Sequence, residues 1–355
     1  MFQNRWSYTS AYEKSRFSFT MFLISSTILL LFILLSTIAS YIFYIIERYS
    51  YFLFNENSIF YGFLTSMGDE EFNSFLNNFI ITLTFWGSFI ISCGAFMLFL
   101  QKIMTKDDLN INNRVSFKFK MPKNAIVLMI AGLAIGYFFI VISIGFDALI
   151  SLFGIEKRVF DSIAFPQTAA GIIMYFIAVV ISPSILEEFL CRYLILNALR
   201  KYGDGLAITV SSVFFGLLHG RTNAFFFATA IGFFLAYIAI QTKSIWFPII
   251  LHAVVNSMSM FWQFFAELSE RHNFEWLFVL IFQFYITLVF GITLIYIIRL
   301  IRSRYDLSLK RRRDYIHISR GRKTVFFFNI ATVIFIILAI WRSTAEYYIS
   351  GAYLS

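Results

Sequence analysis

Three ionisable residues, Glu187, Glu188 and Arg192, sit in an otherwise apolar run, Ser-Pro-Ser-Ile-Leu-Glu-Glu-Phe-Leu-Cys-Arg. Further along, His219 closes Phe-Phe-Gly-Leu-Leu-His, and His252 and Asn256 lie in Phe-Pro-Ile-Ile-Leu-His-Ala-Val-Val-Asn. The chain has 4 histidines, and two of them fall in this stretch. Glu188 and Arg192 are one helical turn apart with the acid first, which suits an ion pair and makes a buried charge tolerable. Glu187 points about 100° away and has no such partner in its own helix. That frees it for general-base work. His252 and Asn256, also one turn apart, can present two polar groups to one point.

Two of the four prolines, Pro183 and Pro248, each precede a polar residue (Glu187, His252) by four positions. A proline inside a helix removes one backbone hydrogen bond and tends to kink it. Two kinks beside the two most polar turns suggest a cavity that admits water, since such breaks are tolerated in membranes where protein or a water-filled cavity surrounds them. Cys191, inside the glutamate run, has no neighbouring histidine to activate it and reads as a packing residue. Glu187, His219 and His252 form an acceptable zinc set with an open water position. The sequence contains no His-Glu-x-x-His signature, so no metal is expected, with zinc on those three residues as the alternative.

The elements that carry these residues must be membrane helices. Of 355 residues, 59% are hydrophobic and only 14% charged, against about 25% charged in a soluble domain. A crossing helix needs about 20 mostly apolar residues. The chain offers nine such spans, at about 17–46, 79–100, 124–153, 168–199, 205–219, 223–242, 245–264, 276–298 and 325–341. The fold expected is an all-α polytopic membrane protein with its site buried among helices four to seven. Spans five and six, separated around Gly220-Arg221-Thr222, can form a tight hairpin.

The net charge of +9 does not mark a nucleic-acid binder, because the cations cluster in loops between spans. Arg5, Lys14 and Arg16 precede span one; Lys102, Lys106, Arg114, Lys118, Lys120 and Lys123 follow span two. Arg311-Arg312-Arg313, Arg320, Arg322 and Lys323 lie in the loop 299–323. The loop 47–78 is acidic, with Glu47, Glu56, Asp69, Glu70 and Glu71. Nine spans with a cytoplasmic N-terminus put all three basic segments inside, where they can sit on anionic lipid. The first apolar run is too long for a signal peptide and has no small-residue cleavage site. His272 and His317 fall in loops and read as ordinary surface residues.

The Glu187-Glu188-Arg192, Phe215-His219 and His252-Asn256 motifs, in this order on successive spans, resemble the CPBP family of CAAX-type prenyl proteases and bacteriocin-processing or immunity proteins. The small-residue helix between them, with Ala228 and Gly232 before Tyr237, is also similar. The resemblance covers about residues 168–262. It implies a metal-independent intramembrane endopeptidase in which Glu187 activates water with help from His219. His252 and Asn256 would stabilise the oxyanion, and Glu188 and Arg192 would orient the site. It divides the chain into an N-terminal membrane region (1–167), a catalytic core (168–264) and C-terminal helices (265–355). The implied partner is a membrane-bound peptide or protein substrate, and the Phe-, Ile- and Asn-rich composition suggests a bacterial plasma membrane. The rival functions are a non-catalytic scaffold or immunity protein on the same fold, and a proton-coupled transporter. No second glutamate-bearing half supports the transporter.

Overall fold

The computed structural model describes residues 11–53, 69–103, 114–157, 165–303, 329–344 and 347–349. Arg5, Glu56, Lys106, His317 and the basic run from Arg311 to Lys323 lie outside the described residues. Nine helical rods stand among those described: α1 (Ala11–Leu53), α2 (Asp69–Ile103), α3 (Ala125–Ser151), α4 (Ala169–Tyr202), α5 (Asp204–Leu218), α6 (Thr222–Thr242), α7 (Trp246–Arg271), α8 (Glu275–Arg302) and α9 (Ile330–Thr344). Each falls on one of the nine apolar runs. Seven are long and apolar enough to cross a membrane. The other two, α5 and α9, have 15 residues and are about 22 Å long, short of a hydrocarbon core of about 30 Å.

Two apolar clusters hold the rods together. Phe17, Phe89, Phe96, Leu190, Phe214 and Phe335 join α1, α2, α4, α5 and α9. Leu133, Ile231, Phe247, Leu251 and Val289 join α3, α6, α7 and α8. The outer face of α8 is exposed and apolar, with Leu280, Phe284, Leu294 and Ile301 outward, as a lipid-facing helix requires.

The α5–α6 hairpin is closed by His219, Gly220 and Arg221, with Gly220 at φ +58°. Small residues let its two backbones approach. A Cβ on Gly232 would lie 3.1 Å from the Ser212 Cα, and one on Gly216 would overlap the Thr229 hydroxyl.

α4 is not uniform. Widened π turns at Ile177–Ile181 and Phe189–Ile195 flank the α-helical Ser182–Glu188. Pro183 follows the first of these, so the helix is irregular there, as expected. Pro248 behaves otherwise: it is the third residue of α7. A first-turn N–H has no intrahelical acceptor to lose, so Pro248 starts a helix and does not kink one.

Polar ties fix both ends of the bundle. At one end Asn197 exchanges hydrogen bonds with the backbone of Val115, Oδ1 accepting at 3.0 Å and Nδ2 donating at 2.8 Å. Ser116 pairs there with the Lys243–Ile245 backbone. At the other end Glu267 accepts from the Phe165 N–H at 2.8 Å, and Glu71 accepts from the Thr168 N–H and hydroxyl. A short antiparallel pair, β1 (Ile155–Lys157) with β2 (Tyr347–Ile349), lies beyond α3. Beside it the Tyr347 hydroxyl donates to Asp147 at 2.6 Å.

Candidate active site

Glu187 and Glu188 leave the straight turn of α4 in different directions, and each meets the same histidine of α7. Glu188 Oε1 lies 3.1 Å from His252 Nδ1. Glu187 Oε2 lies 3.9 Å from His252 Nε2, beyond hydrogen-bond reach. The ring of His252 therefore stands between the two carboxylates. Sequence spacing left Glu188 to Arg192 alone and Glu187 without a partner. Both gain one from a residue more than 60 positions away, which no local pattern reveals.

Behind this pair Glu188 and Arg192 are fully buried, with Oε2 and Nε 3.1 Å apart. The charges neutralise each other, although the N–H is not aligned as a hydrogen bond. Arg192 also donates from Nη2 to the Gly232 carbonyl at 3.2 Å and lies over the Phe215 ring, 4.5 Å from its centroid. A guanidinium between a carboxylate, a carbonyl and an aromatic face is held in one orientation.

His219 caps α5. Its Nδ1 is 2.8 Å from the Phe215 carbonyl. Since a carbonyl only accepts, Nδ1 carries a proton and donates it there, so the other ring nitrogen, Nε2, is not used by this contact. The Phe215 ring sits edge-on to both histidines, with centroids 5.2 Å and 5.6 Å away, and so spaces them.

Asn256 donates from Nδ2 to the Val179 carbonyl at 3.0 Å. Val179 lies four residues before Pro183, so it faces the position where proline lacks an N–H. Asn256 thus ties α7 to the irregular turn of α4. One of its two amide hydrogens is spent on that bond and one remains.

Glu187, His219, His252 and Asn256 line one cavity of about 370 Å³. Glu188 and Arg192 are not in its wall. The cavity also meets residues the sequence did not single out. Tyr175 and Gln263 share a hydrogen bond of 2.8 Å, and Phe85 of α2 contributes to the wall. The neighbouring Trp86 donates to Ser182 of α4 at 2.9 Å. Only their positions in the fold could have pointed to them. Cys191 is buried and lies outside the cavity wall.

Zinc would require three of these donors to converge. Among the described residues no three of His, Cys, Asp and Glu do so.

The class defined by fold and site is a polytopic helical membrane protein with a buried carboxylate–histidine cavity. Residues 169–258 match the family model of type II CAAX prenyl endopeptidase Rce1-like proteins. The chain is also 28% identical over 177 residues to the Bacillus subtilis (strain 168) protein named "Putative membrane peptidase YdiL", covering 49% of this chain and 68% of that one. No solved structure matches. Over residues 169–258 the chain is thus similar to the CPBP/CAAX family of membrane proteases.

Proposed function

We propose that this chain is an intramembrane endopeptidase that hydrolyses a peptide bond in a membrane-associated substrate with water activated by Glu187, and without a metal. The observation that carries the reading is the placement of Glu187 and His252 Nε2 on either side of a 3.9 Å gap inside a cavity that His219 and Asn256 also line. Two polar groups that far apart do not bond directly, and a water beside them can hydrogen-bond to both.

In this mechanism the Glu187 carboxylate takes a proton from water as its oxygen attacks the peptide carbonyl. His252 has its Nδ1–H committed to Glu188, so in the protonated ring Nε2–H is the donor left to face the developing oxyanion. The free hydrogen on Asn256 Nδ2 is the second donor. Glu187 then gives its proton to the leaving amine as the C–N bond breaks, with His219 assisting. No covalent intermediate is required. Glu188, neutralised by Arg192, orients His252 and does not touch substrate.

The test compares wild type with Glu187→Gln, both reconstituted in vesicles, on prenylated and unprenylated membrane-bound peptides. Loss of a general base costs roughly 10²–10⁴-fold in rate, so the variant is expected to lose at least 100-fold with its unfolding temperature unchanged. Equal cleavage by both proteins, or none by either, refutes the reading in favour of a scaffold. A chelator arm in the same assay is expected to leave the rate unchanged.

A further inference from the structure

Residues 114–123 run as a non-helical strap between α2 and α3, against two of the helices that carry the site, α4 and α7. The strap reads Arg-Val-Ser-Phe-Lys-Phe-Lys-Met-Pro-Lys and contains no acid. Its backbone is tied to α4 through the paired Val115–Asn197 hydrogen bonds; Asn197 lies five residues beyond Arg192. To the approach of α7 it is tied by Ser116 N–H to the Lys243 carbonyl at 3.2 Å and by Ile245 N–H to the Ser116 carbonyl at 3.1 Å. The Trp246 indole N–H donates to the Phe117 carbonyl at 2.7 Å. Ile245 lies seven residues before His252. One short segment therefore sets the relative position of the two helices whose meeting point is the Glu188–His252 contact.

The outward side of the strap has the composition of a membrane interface. Phe117 and Phe119 are 50% and 66% exposed, yet they lean on Tyr193 and Trp246. Lys118, Lys120 and Lys123 alternate with them and are exposed, as is Lys243 beside them. Aromatic side chains settle at the boundary between hydrocarbon and headgroups, and lysines reach from there to anionic phosphates. We propose that the strap is a binding surface for anionic phospholipid headgroups on Lys118, Lys120, Lys123 and Lys243, and that lipid docked there holds α4 and α7 in the register that brings Glu188 to His252. The lipid site stands on the strap alone; its effect on cleavage rests on the peptidase reading above.

The full chain is reconstituted in phosphatidylcholine vesicles with or without phosphatidylglycerol. Two readouts need no enzymatic activity. The first is the association of spin-labelled phosphatidylglycerol relative to phosphatidylcholine. The second is hydrogen exchange at the Val115, Ser116 and Ile245 amides. Wild type is expected to prefer the anionic lipid and to exchange these amides more slowly in its presence. K118Q/K120Q/K123Q should reduce the preference at least ten-fold, each lysine near an anionic surface contributing roughly five-fold; K118R/K120R/K123R should restore it. R311Q/R312Q/R313Q, in the other basic loop, is the comparison. An unchanged preference in the strap variant, or an equal loss in the comparison variant, overturns the proposal, and so does exchange that ignores lipid. Cleavage is measured on the same vesicles and should rise with phosphatidylglycerol for wild type only. Lipid preference without cleavage in any vesicle supports the lipid site and counts against the peptidase.

Discussion

At the scale of residues, the two adjacent glutamates do different work because their surroundings differ. Glu188 has no exposure and holds both Arg192 and His252, whereas Glu187 opens onto the cavity. Removing one member of a buried pair leaves the other charged and unsatisfied, at a cost of about 3–5 kcal/mol. Glu188→Gln is therefore expected to unfold at a markedly lower temperature than Glu187→Gln. Replacing the pair together, Glu188→Gln with Arg192→Met, should recover much of that stability, since a buried ion pair is often replaceable by apolar residues. Activity should not return, because His252 has lost the carboxylate that fixes its Nδ1. Thermal unfolding of the three variants beside their cleavage rates checks this, and a double variant as unstable as the single would contradict it. The residue types of the site were legible in the sequence, since each is too costly in a membrane helix to be incidental. The Glu188–His252 contact was not, because it joins residues far apart in the chain and depends on how α4 and α7 cross.

At the scale of elements, each of the nine rods follows its apolar run, because run length decides where a helix can sit in hydrocarbon. What the runs do not carry is irregularity within a rod. The π turns around Ser182–Glu188 widen α4 where the two carboxylates must diverge, as such turns often do at functional sites. Pro183 hinted at one of them, while Pro248 carried the same signal and marks only a helix start. The α5–α6 hairpin is the second device, as it brings Phe215 and His219 against α7. Its close approach depends on Gly216, where an added Cβ would run into Thr229 Oγ1. Gly216→Ala is expected to destabilise the fold by about 1–3 kcal/mol, the usual range for overpacking, and to lower activity by moving His219. Thr229→Ala removes the clashing hydroxyl, so the double variant should be more stable than Gly216→Ala alone. A double-mutant cycle by thermal unfolding measures the coupling, and additive losses would show that the hairpin yields elsewhere.

At the scale of the whole molecule, the site is suspended between two tied ends. The strap 114–123 joins α4 to the start of α7 at one end, and at the other Glu71 of α2 and Glu267 of α7 hold the chain entering α4. Burial works against ionisation of Glu71, but the Gln167 and Thr168 N–H groups and the Thr168 hydroxyl donate to it. With Arg271 nearby, the balance holds its carboxyl below the ordinary glutamate value of 4.5. A depressed folded value means the carboxylate stabilises the fold. That contribution is complete above about pH 4.5, the unfolded value, and fades as pH falls through the lower folded value. Glu71→Gln loses the charge at every pH, so it should unfold at a lower temperature than wild type near neutrality. The two proteins should converge as the pH drops below 4.5. Because Glu71 accepts from the first residues before α4, the tie also limits how far the Glu187 turn can move along α2. Unfolding temperatures of the reconstituted proteins from pH 7 to pH 3 decide the matter, and curves that stay parallel over that range would mean that Glu71 does not hold the end of α4.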